Sequence, residues 1–198
     1  MYDLGDNRWL TNLNQLKPVG KKVMLSFDDG PGRQLPYILD TLKEKKVRAL
    51  FFWQSRLLYS NRPWKRVLSE GHKIGSHANN HTNLITLSKE QQLKHIKYSV
   101  EKLEQVTGEK VKYFRPPYGQ YNEDTMSIIQ DLQLTPVMWD ITSYDWDHKV
   151  NPSCIKTNVT SHIREGSIIL LHELSQTAAI LPELIDEIRK QGFELDLL

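Results

Sequence analysis

The sequence predicts a single α/β domain in which a parallel sheet is covered by helices. Short apolar runs alternate with amphipathic segments along nearly the whole chain. The apolar runs are almost continuous, which is typical of parallel strands buried on both faces. The 198 residues show no low-complexity stretch or shift in composition that would mark a second domain. These patterns leave open whether the sheet closes into a barrel or is doubly wound.

Seven apolar runs of four to six residues are predicted strands. Each is bounded by a turn signal or a polar stretch, such as Pro116-Pro117 after the fourth run. The predicted strands are residues 22–27, 48–53, 73–76, 111–115, 136–139, 167–171 and 193–197. Residues 1–21 precede them as an N-terminal extension to a domain of residues 22–198.

Amphipathic segments between these strands are predicted helices. The third is the clearest, because Ser88 and Gln91 form a capping box before its apolar stripe and Gly108 follows it. Three helices are predicted from apolar stripes: Leu35, Ile38, Leu39 and Leu42; Leu93, Ile96, Val100 and Leu103; and Leu181, Leu184, Ile185 and Ile188. The other three are predicted over residues 63–70, 123–132 and 152–163.

Composition excludes several classes of protein. Lys and Arg number 26 against 24 Asp and Glu, and the net charge of +2 is too small to indicate nucleic-acid or membrane-surface binding. Cys154 is the only cysteine, which excludes an internal disulfide and a cysteine zinc knuckle. No apolar run is long enough to span a membrane. Residues 1–8 contain no apolar signal-peptide core, so a cytosolic location is the default expectation. We also expect a monomer.

Polar residues cluster where the predicted strands end. In both candidate architectures the carboxyl ends of parallel strands meet at one rim, and ligands bind there. The residues at this rim are therefore candidates for a functional site. They are Asp28 and Asp29 after the first strand, His77 and His81 after the third, Arg115 and Tyr118 at the fourth, Asp140, Asp145 and Trp146 after the fifth, and His172 and Glu173 after the sixth.

The histidine pair favours a metal site. His77 and His81 are four residues apart, a spacing that can bring two imidazoles to one zinc ion. Zinc needs a third protein ligand, which Asp28 or Asp29 can supply. Adjacent carboxylates repel each other, and a cation or Arg115 would relieve that cost. The alternative is two loop histidines beside a turn rich in aspartate.

Other candidates carry less weight. The Gly30-Pro31-Gly32 segment is not a dinucleotide loop, because two carboxylates precede it where pyrophosphate needs positive potential. Four histidines without partnered spacing are expected to be structural: His72, His95, His148 and His162. Three tryptophans at strand ends are either core residues or platforms for a sugar ring or an acyl group: Trp53, Trp139 and Trp146.

Five motifs follow one another along the chain. They are Ser26-Phe27-Asp28-Asp29-Gly30-Pro31, His77-x3-His81, Arg115-Pro116-Pro117-Tyr118-Gly119, Asp145-Trp146 and Leu170-Leu171-His172. In this order they resemble the motifs of polysaccharide deacetylases, metal-dependent enzymes of carbohydrate esterase family four with a nodulation-deacetylase-type domain. The resemblance runs from about Lys22 to Leu197.

The resemblance implies a distorted (β/α)7 barrel that removes N- or O-acetyl groups from glycans with one divalent metal ion, zinc or alternatively cobalt. Peptidoglycan, chitooligosaccharide and exopolysaccharide are all compatible substrates, and relatives usually act on envelope or extracellular glycans. The implied roles are metal ligation by Asp29, His77 and His81; proton abstraction by Asp28, held by Arg115; oxyanion stabilisation by the Tyr118 N–H; protonation by His172, oriented by Asp145; and an acetyl pocket lined by Trp146 and Leu170.

Three residues depart from the family pattern: Ala78 stands in place of Ser or Thr, Thr142 in place of a frequent Asp, and Glu173 in place of Asp.

A rival hypothesis is a glycosidase that uses two carboxylates among Asp28, Asp140, Asp145 and Glu173. It leaves the histidine pair and Arg115 without a role. A second rival is a silent glycan-binding domain, which would need neither Asp28 nor His172.

Overall fold

A computed structural model of the protein describes residues 5–59 and 61–197. Within these residues, one parallel sheet curls into a half-barrel surrounded by six helices, which confirms the single α/β domain and is consistent with a distorted (β/α)7 barrel. None of these helices is long and apolar enough to cross a membrane. The strands are β1 (Lys22–Gly30), β2 (Leu50–Trp53), β3 (Lys73–Ser76), β4 (Tyr113–Phe114), β5 (Thr135–Pro136), β6 (Ile141–Thr142), β7 (Ile168–His172) and β8 (Glu194–Leu195). The helices are α1 (Leu35–Glu44), α2 (Trp64–Ser69), α3 (Lys89–Thr107), α4 (Glu123–Asp131), α5 (Ser153–Thr160) and α6 (Ser175–Lys190).

The strand order is β5-β4-β3-β2-β1-β7-β6, and β8 pairs with β1. All six predicted helices are confirmed, and so is the Ser88–Gln91 capping box. The fifth predicted strand, over residues 136–139, is wrong in its bounds, and β6 was not predicted. The carbonyl oxygens of Val137 and Met138 accept hydrogen bonds from the Arg115 guanidinium, at 3.2 and 2.7 Å. β5 ends at Pro136, and the two carbonyls that follow it bind this buried side chain.

Side-chain alternation along β1 and β7 places the candidate catalytic residues inside the barrel. Met24 and Ile168 pack together in its interior, whereas the side chains next to them in each strand pack beneath the helices. Because side chains two and four residues further on point the same way, Asp28 and His172 share this interior face. The two residues are also partners in the register between β1 and β7.

The segment before β1 packs against the sheet. The Leu10 N–H donates to the Pro136 carbonyl, the Leu10 carbonyl accepts from Met138, and the Leu13 N–H donates to Gly166. Trp9 has no exposed surface. This segment thus runs from β5, at one edge of the sheet, to the start of β7. The division into an extension (1–21) and a domain (22–198) stays a prediction, and residues 1–4 and 198 lie outside the described residues.

His72 is a structural residue in the core, as expected. Its side chain packs edge-on against Phe51, and its Nδ1 accepts a hydrogen bond from the Ala49 N–H at 3.0 Å. Burial lowers the pKa of His72 from 6.5 to about 4, since Glu70 offsets that penalty only in part. The imidazole is therefore neutral in the folded protein at neutral pH.

We expect His72 to make stability depend on pH in mild acid. Between pH 6.5 and 4 the unfolded chain binds a proton that the folded protein excludes, so the free energy of unfolding falls as the pH is lowered. A shift of this size corresponds to up to about 3 kcal/mol. Urea unfolding at pH 7 and 4.5 measures it. His72→Gln should flatten the dependence, and the exposed His162→Gln should not.

Candidate active site

The C-terminal ends of the strands surround one cleft with a volume of about 750 Å³. Eight of the predicted residues line it: Asp28, Asp29, His77, His81, His172, Tyr118, Trp146 and Leu170. Arg115 and Asp145 lie directly behind this lining, fully buried. The ten residues predicted for the site are thus brought together at the rim where they were expected.

Asp29, His77 and His81 form a group of potential metal ligands. One ligand atom from each lies within 4.8 Å of the other two. The Asp29 Oδ1 is 3.7 Å from the His77 Nε2 and 3.5 Å from the His81 Nε2. Two imidazole nitrogens and one carboxylate oxygen are a donor set that suits zinc and leaves a coordination position open. These residues fit a divalent metal ion.

The state of each imidazole also suits metal ligation. The Nδ1 of His77 lies 2.8 Å from the Arg115 carbonyl, to which it donates, and this leaves the Nε2 lone pair directed at the cleft. Burial lowers the pKa of His81, although Asp29 opposes this effect. Burial raises the pKa of Asp29, but the neighbouring imidazoles and the hydrogen bond from Gln54 outweigh it, so the net shift is downward. The lowered pKa favours the ionised carboxylate, which is the form that binds metal.

An irregularity at the end of β1 directs two adjacent carboxylates into one cleft. Successive side chains of a strand point to opposite faces, so Asp28 and Asp29 would normally diverge. Asp29 instead has a φ of 65°, and the pairing of β1 with β2 shifts register between Phe27 and Gly30. As a result, Asp28 Oδ2 and Asp29 Oδ1 lie 3.9 and 3.7 Å from the same His77 Nε2.

Arg115 holds Asp28 from beneath the cleft. Its guanidinium donates to the Asp28 Oδ1 at 2.7 Å and to the Ser26 hydroxyl at 3.0 Å. It also lies 4.1 Å from the centre of the Phe52 ring and has no exposed surface. One carboxylate oxygen of Asp28 is therefore occupied by a buried cation, and the other faces the ligand group.

His172, at the end of β7, pairs with the buried Asp145 in the segment after β6. The His172 Nδ1 lies 2.7 Å from the Asp145 Oδ1, while the Asp145 Oδ2 accepts from the Thr177 hydroxyl at 2.6 Å. Burial disfavours the imidazolium, but the hydrogen bond and charge of Asp145 outweigh that penalty and raise the pKa of His172. The His172 Nε2 points to the cleft, 3.9 Å from the Asp29 Oδ2.

Aromatic side chains flank the cleft. Tyr118 has a φ of 60°, is largely exposed, and packs its ring edge against His81. Trp146 packs edge-on against His172 and at a tilt against Tyr144, an exposed tyrosine that is not among the predicted site residues. Trp139 also lines the cleft, whereas Trp53 is a core residue. The cleft therefore presents aromatic rings beside its charged groups.

The three departures from the family pattern have local partners. Ala78 has a φ of 60°, and its carbonyl accepts from the Ser99 hydroxyl at 2.9 Å, which braces the loop between the two histidines. The Thr142 hydroxyl accepts from the Trp139 indole at 2.9 Å. Glu173 accepts from the Trp53 indole at 2.9 Å and from the Gly32 N–H. Burial raises the pKa of Glu173 to about 7 despite these two bonds.

Asp140 is among the residues that line the cleft, but its carboxylate is buried and bonded elsewhere. Its carboxylate accepts from the Ile168 N–H at 2.8 Å and pairs with Arg164, at the beginning of β7 rather than at its end. Asp140 is therefore not a candidate catalytic carboxylate for the glycosidase hypothesis. The structural expectation also holds for His148 and His162, whose rings contact Asn158 away from the cleft.

Gln54 is a site residue that sequence reasoning missed. It follows β2 directly, is buried, and donates to the Asp29 Oδ1 at 2.8 Å. Its position directly after the second predicted strand, which ends at Trp53, is the signal that points to it. An amide indicates a reactive site less strongly than a carboxylate or an imidazole does.

Known proteins match both the sequence and the fold. The family model for polysaccharide deacetylases matches residues 15–137. PdaC, a peptidoglycan-N-acetylmuramic acid deacetylase of Bacillus subtilis, is 33% identical over 181 residues, which are 90% of this chain and 38% of PdaC. The chain spans 37–50% of the length of PdaC and two further curated relatives.

Two solved structures are similar over nearly the whole chain. The Bc1960 peptidoglycan N-acetylglucosamine deacetylase has a TM-score of 0.88 and 29% identity, covering 96% of this chain and 91% of that one. BA3943 of Bacillus anthracis, a pseudoenzyme of carbohydrate esterase family four, has a TM-score of 0.84 and 30% identity, covering 90% and 64%. The fold, the ordered motifs and the match over residues 15–137 agree: this chain belongs to the polysaccharide deacetylase family.

Proposed function

We propose that this protein is a metal-dependent hydrolase that removes acetyl groups from an N-acetylated glycan. The observation that carries the proposal is that a metal-binding group, a potential base and a potential acid lie together in one cleft. A donor set for a divalent ion lies within reach of a carboxylate with one free oxygen, Asp28, and of an imidazole with a raised pKa, His172. A glycan-binding module would need none of these three features.

Asp29, His77 and His81 would hold the metal. A divalent ion bound there would polarise an amide carbonyl and lower the pKa of a nearby water molecule toward neutrality. Zinc suits the donor set, and cobalt is the alternative. Asp29 contributes the negative charge, and the two histidines contribute neutral nitrogen donors.

Asp28 acts as the general base in this proposal. Its Oδ1 is held by Arg115, so its Oδ2 is oriented toward the ligand group and can accept a proton from the attacking water. Arg115 fixes the carboxylate in one rotamer and balances its charge in the absence of bulk water. This arrangement explains why a fully buried arginine lies beneath the cleft.

His172 acts as the general acid. Its Nδ1 carries one proton, which it donates in the hydrogen bond to Asp145. In the imidazolium form the second proton is on Nε2, which faces the cleft. The raised pKa increases the fraction of imidazolium at neutral pH, the form that can protonate a departing amine. We assign oxyanion stabilisation to the backbone N–H of Tyr118, and the acetyl pocket to Trp146 and Leu170.

An amino sugar in a glycan chain is the substrate class that the cleft supports. The exposed aromatic rings of Tyr118, Tyr144 and Trp146 offer stacking surfaces for sugar rings. PdaC and Bc1960 are named as deacetylases of peptidoglycan sugars, which favours peptidoglycan over chitooligosaccharide and exopolysaccharide.

Metal removal should abolish the activity. We expect the purified protein with zinc or cobalt to release acetate from peptidoglycan fragments without forming new reducing ends. Dialysis against a chelator should stop acetate release, and either metal should restore it, because no side chain of the cleft replaces a Lewis acid. Full turnover in a sample that elemental analysis finds free of metal would contradict the proposal.

A silent glycan-binding domain remains the second candidate, since BA3943 is named a pseudoenzyme of the same fold. Binding of peptidoglycan fragments without acetate release, in a zinc-loaded sample, would favour it. New reducing ends would instead favour the glycosidase hypothesis.

A further inference from the structure

The three residues after β2, Gln54, Ser55 and Arg56, connect the two parts of the chain that carry the potential metal ligands. Strand β2 lies between β1 and β3, so the end of β1, which holds Asp29, and the loop after β3, which holds the histidine pair, are not neighbours in the sheet. We call residues 54–56 the bridging segment.

Backbone hydrogen bonds join the bridging segment to both sides. The Gln54 N–H donates to the Gly30 carbonyl at 2.9 Å, next to Asp29. The Ser55 and Arg56 N–H groups donate to the carbonyls of Ala78 and Asn79, at 3.2 and 3.0 Å, between the two histidines. The buried Ser55 hydroxyl adds a bond of 3.0 Å to the Asn79 amide oxygen.

The Gln54 side chain adds a direct contact to a potential ligand. Its amide nitrogen donates to the Asp29 Oδ1 at 2.8 Å, and its amide oxygen accepts from the Arg56 Nε at 3.0 Å. A guanidinium only donates and an ionised carboxylate only accepts, so these two partners allow one orientation of the amide. Gln54 is 4% exposed, whereas Arg56 is exposed.

The oxygen that Gln54 contacts is the one closest to both histidines. The Asp29 Oδ1 lies within 3.7 Å of the Nε2 atoms of His77 and His81. A carboxylate oxygen has two lone pairs, so it can accept the amide hydrogen bond and bind a cation at the same time. Asp29 also has a left-handed backbone, which persists only where neighbouring groups hold it.

We propose that Gln54 is a positioning residue that holds the Asp29 carboxylate in place for a divalent metal ion, and that Arg56 acts through Gln54. The inference deepens the proposed metal site and rests on it. Partners that orient a ligand in this way typically change metal affinity by about 10–100-fold. Gln54 touches neither of the proton-transfer residues, Asp28 and His172, in any hydrogen bond described.

The test measures zinc affinity by competition with a chromogenic chelator in four proteins: wild type, Gln54→Met, Arg56→Met and the double variant. Methionine matches glutamine in length but neither donates nor accepts the two bonds. We expect Gln54→Met to bind zinc about 10–100-fold more weakly. Arg56→Met should have a smaller effect, and the double variant should equal Gln54→Met, because Arg56 then has no amide to orient. Saturating zinc should restore the turnover number of each variant.

Exposed Gln130→Met is the matched control and should bind zinc as the wild type does. If Gln54→Met fails to fold, Gln54→Ala removes the same bonds without adding volume. Equal zinc affinity of wild type and a folded Gln54 variant overturns the inference while the metal site stands. Additive losses in the double variant overturn the role of Arg56. A wild-type protein that binds neither zinc nor cobalt overturns the proposed metal site, and the inference with it.

Discussion

Asp28→Asn is expected to keep its metal and lose nearly all turnover. Asparagine has almost the same shape as aspartate but does not accept a proton from water at neutral pH. The loss of a general base typically lowers the rate by about 10²–10⁴-fold. Because the buried Arg115 then lacks its counter-charge, we also expect a lower melting temperature, although its bonds to Val137 and Met138 remain. Acetate release, bound zinc and thermal unfolding on one purified sample measure all three effects.

Asp29→Asn should behave differently despite being the adjacent residue. An amide oxygen is a poorer zinc ligand than a carboxylate, so this variant should lose zinc first and regain part of its activity when zinc is raised. Asp131→Asn, on the exposed surface of α4, is the matched control and should change neither property. If Asp28→Asn sheds zinc while Asp29→Asn retains it, the two roles are reversed. If both shed zinc equally, the carboxylates share the ion and the base lies elsewhere.

His172→Ala is expected to lower turnover by about 10²–10⁴-fold with unchanged metal content, because His172 supplies the proton for the leaving amine. Asp145→Asn should act through the same proton. Removing the Asp145 charge lowers the pKa of His172, so the imidazolium persists only to a lower pH and the alkaline limb of the rate profile moves down. Turnover measured from pH 5 to 9 on both variants separates the two effects.

A matched control is His162→Ala, whose imidazole lies outside the cleft. A fall of only a few fold in His172→Ala would show that solvent or another group protonates the amine. An alkaline limb that stays in place in Asp145→Asn would assign the raised pKa of His172 to another cause.

Much of the fold and of the site was accessible from local patterns. The apolar runs predicted the strands β1, β2, β3, β4 and β7 within a few residues, because a parallel strand buried on both faces must be apolar along its length. The position of polar residues directly after those runs predicted which of them meet. Parallel strands all end at one rim, so sequence position alone brought Asp29, His77 and His172 to the same place.

Predictions from local patterns were wrong where a side chain binds backbone groups that are distant in the sequence. The segment after β5 is apolar and was predicted as a strand, but its carbonyls bind the guanidinium of Arg115 from β4. Asp140 follows that segment, so it was expected at the rim, where the predicted fifth strand would end. Its carboxylate bonds instead to the start of β7, which is distant in the chain.

The α/β class, the order of the motifs and the chemical types available for catalysis follow from residue identity and periodicity, so they could be predicted from the sequence. The way in which the adjacent aspartates divide their contacts becomes apparent in the folded protein. A left-handed turn at Asp29 directs it toward His81 and Gln54, while Asp28 stays in the strand alternation and pairs with Arg115. Backbone strain and hydrogen bonds between residues far apart in the chain set that division, and neither is visible in a local pattern of residues.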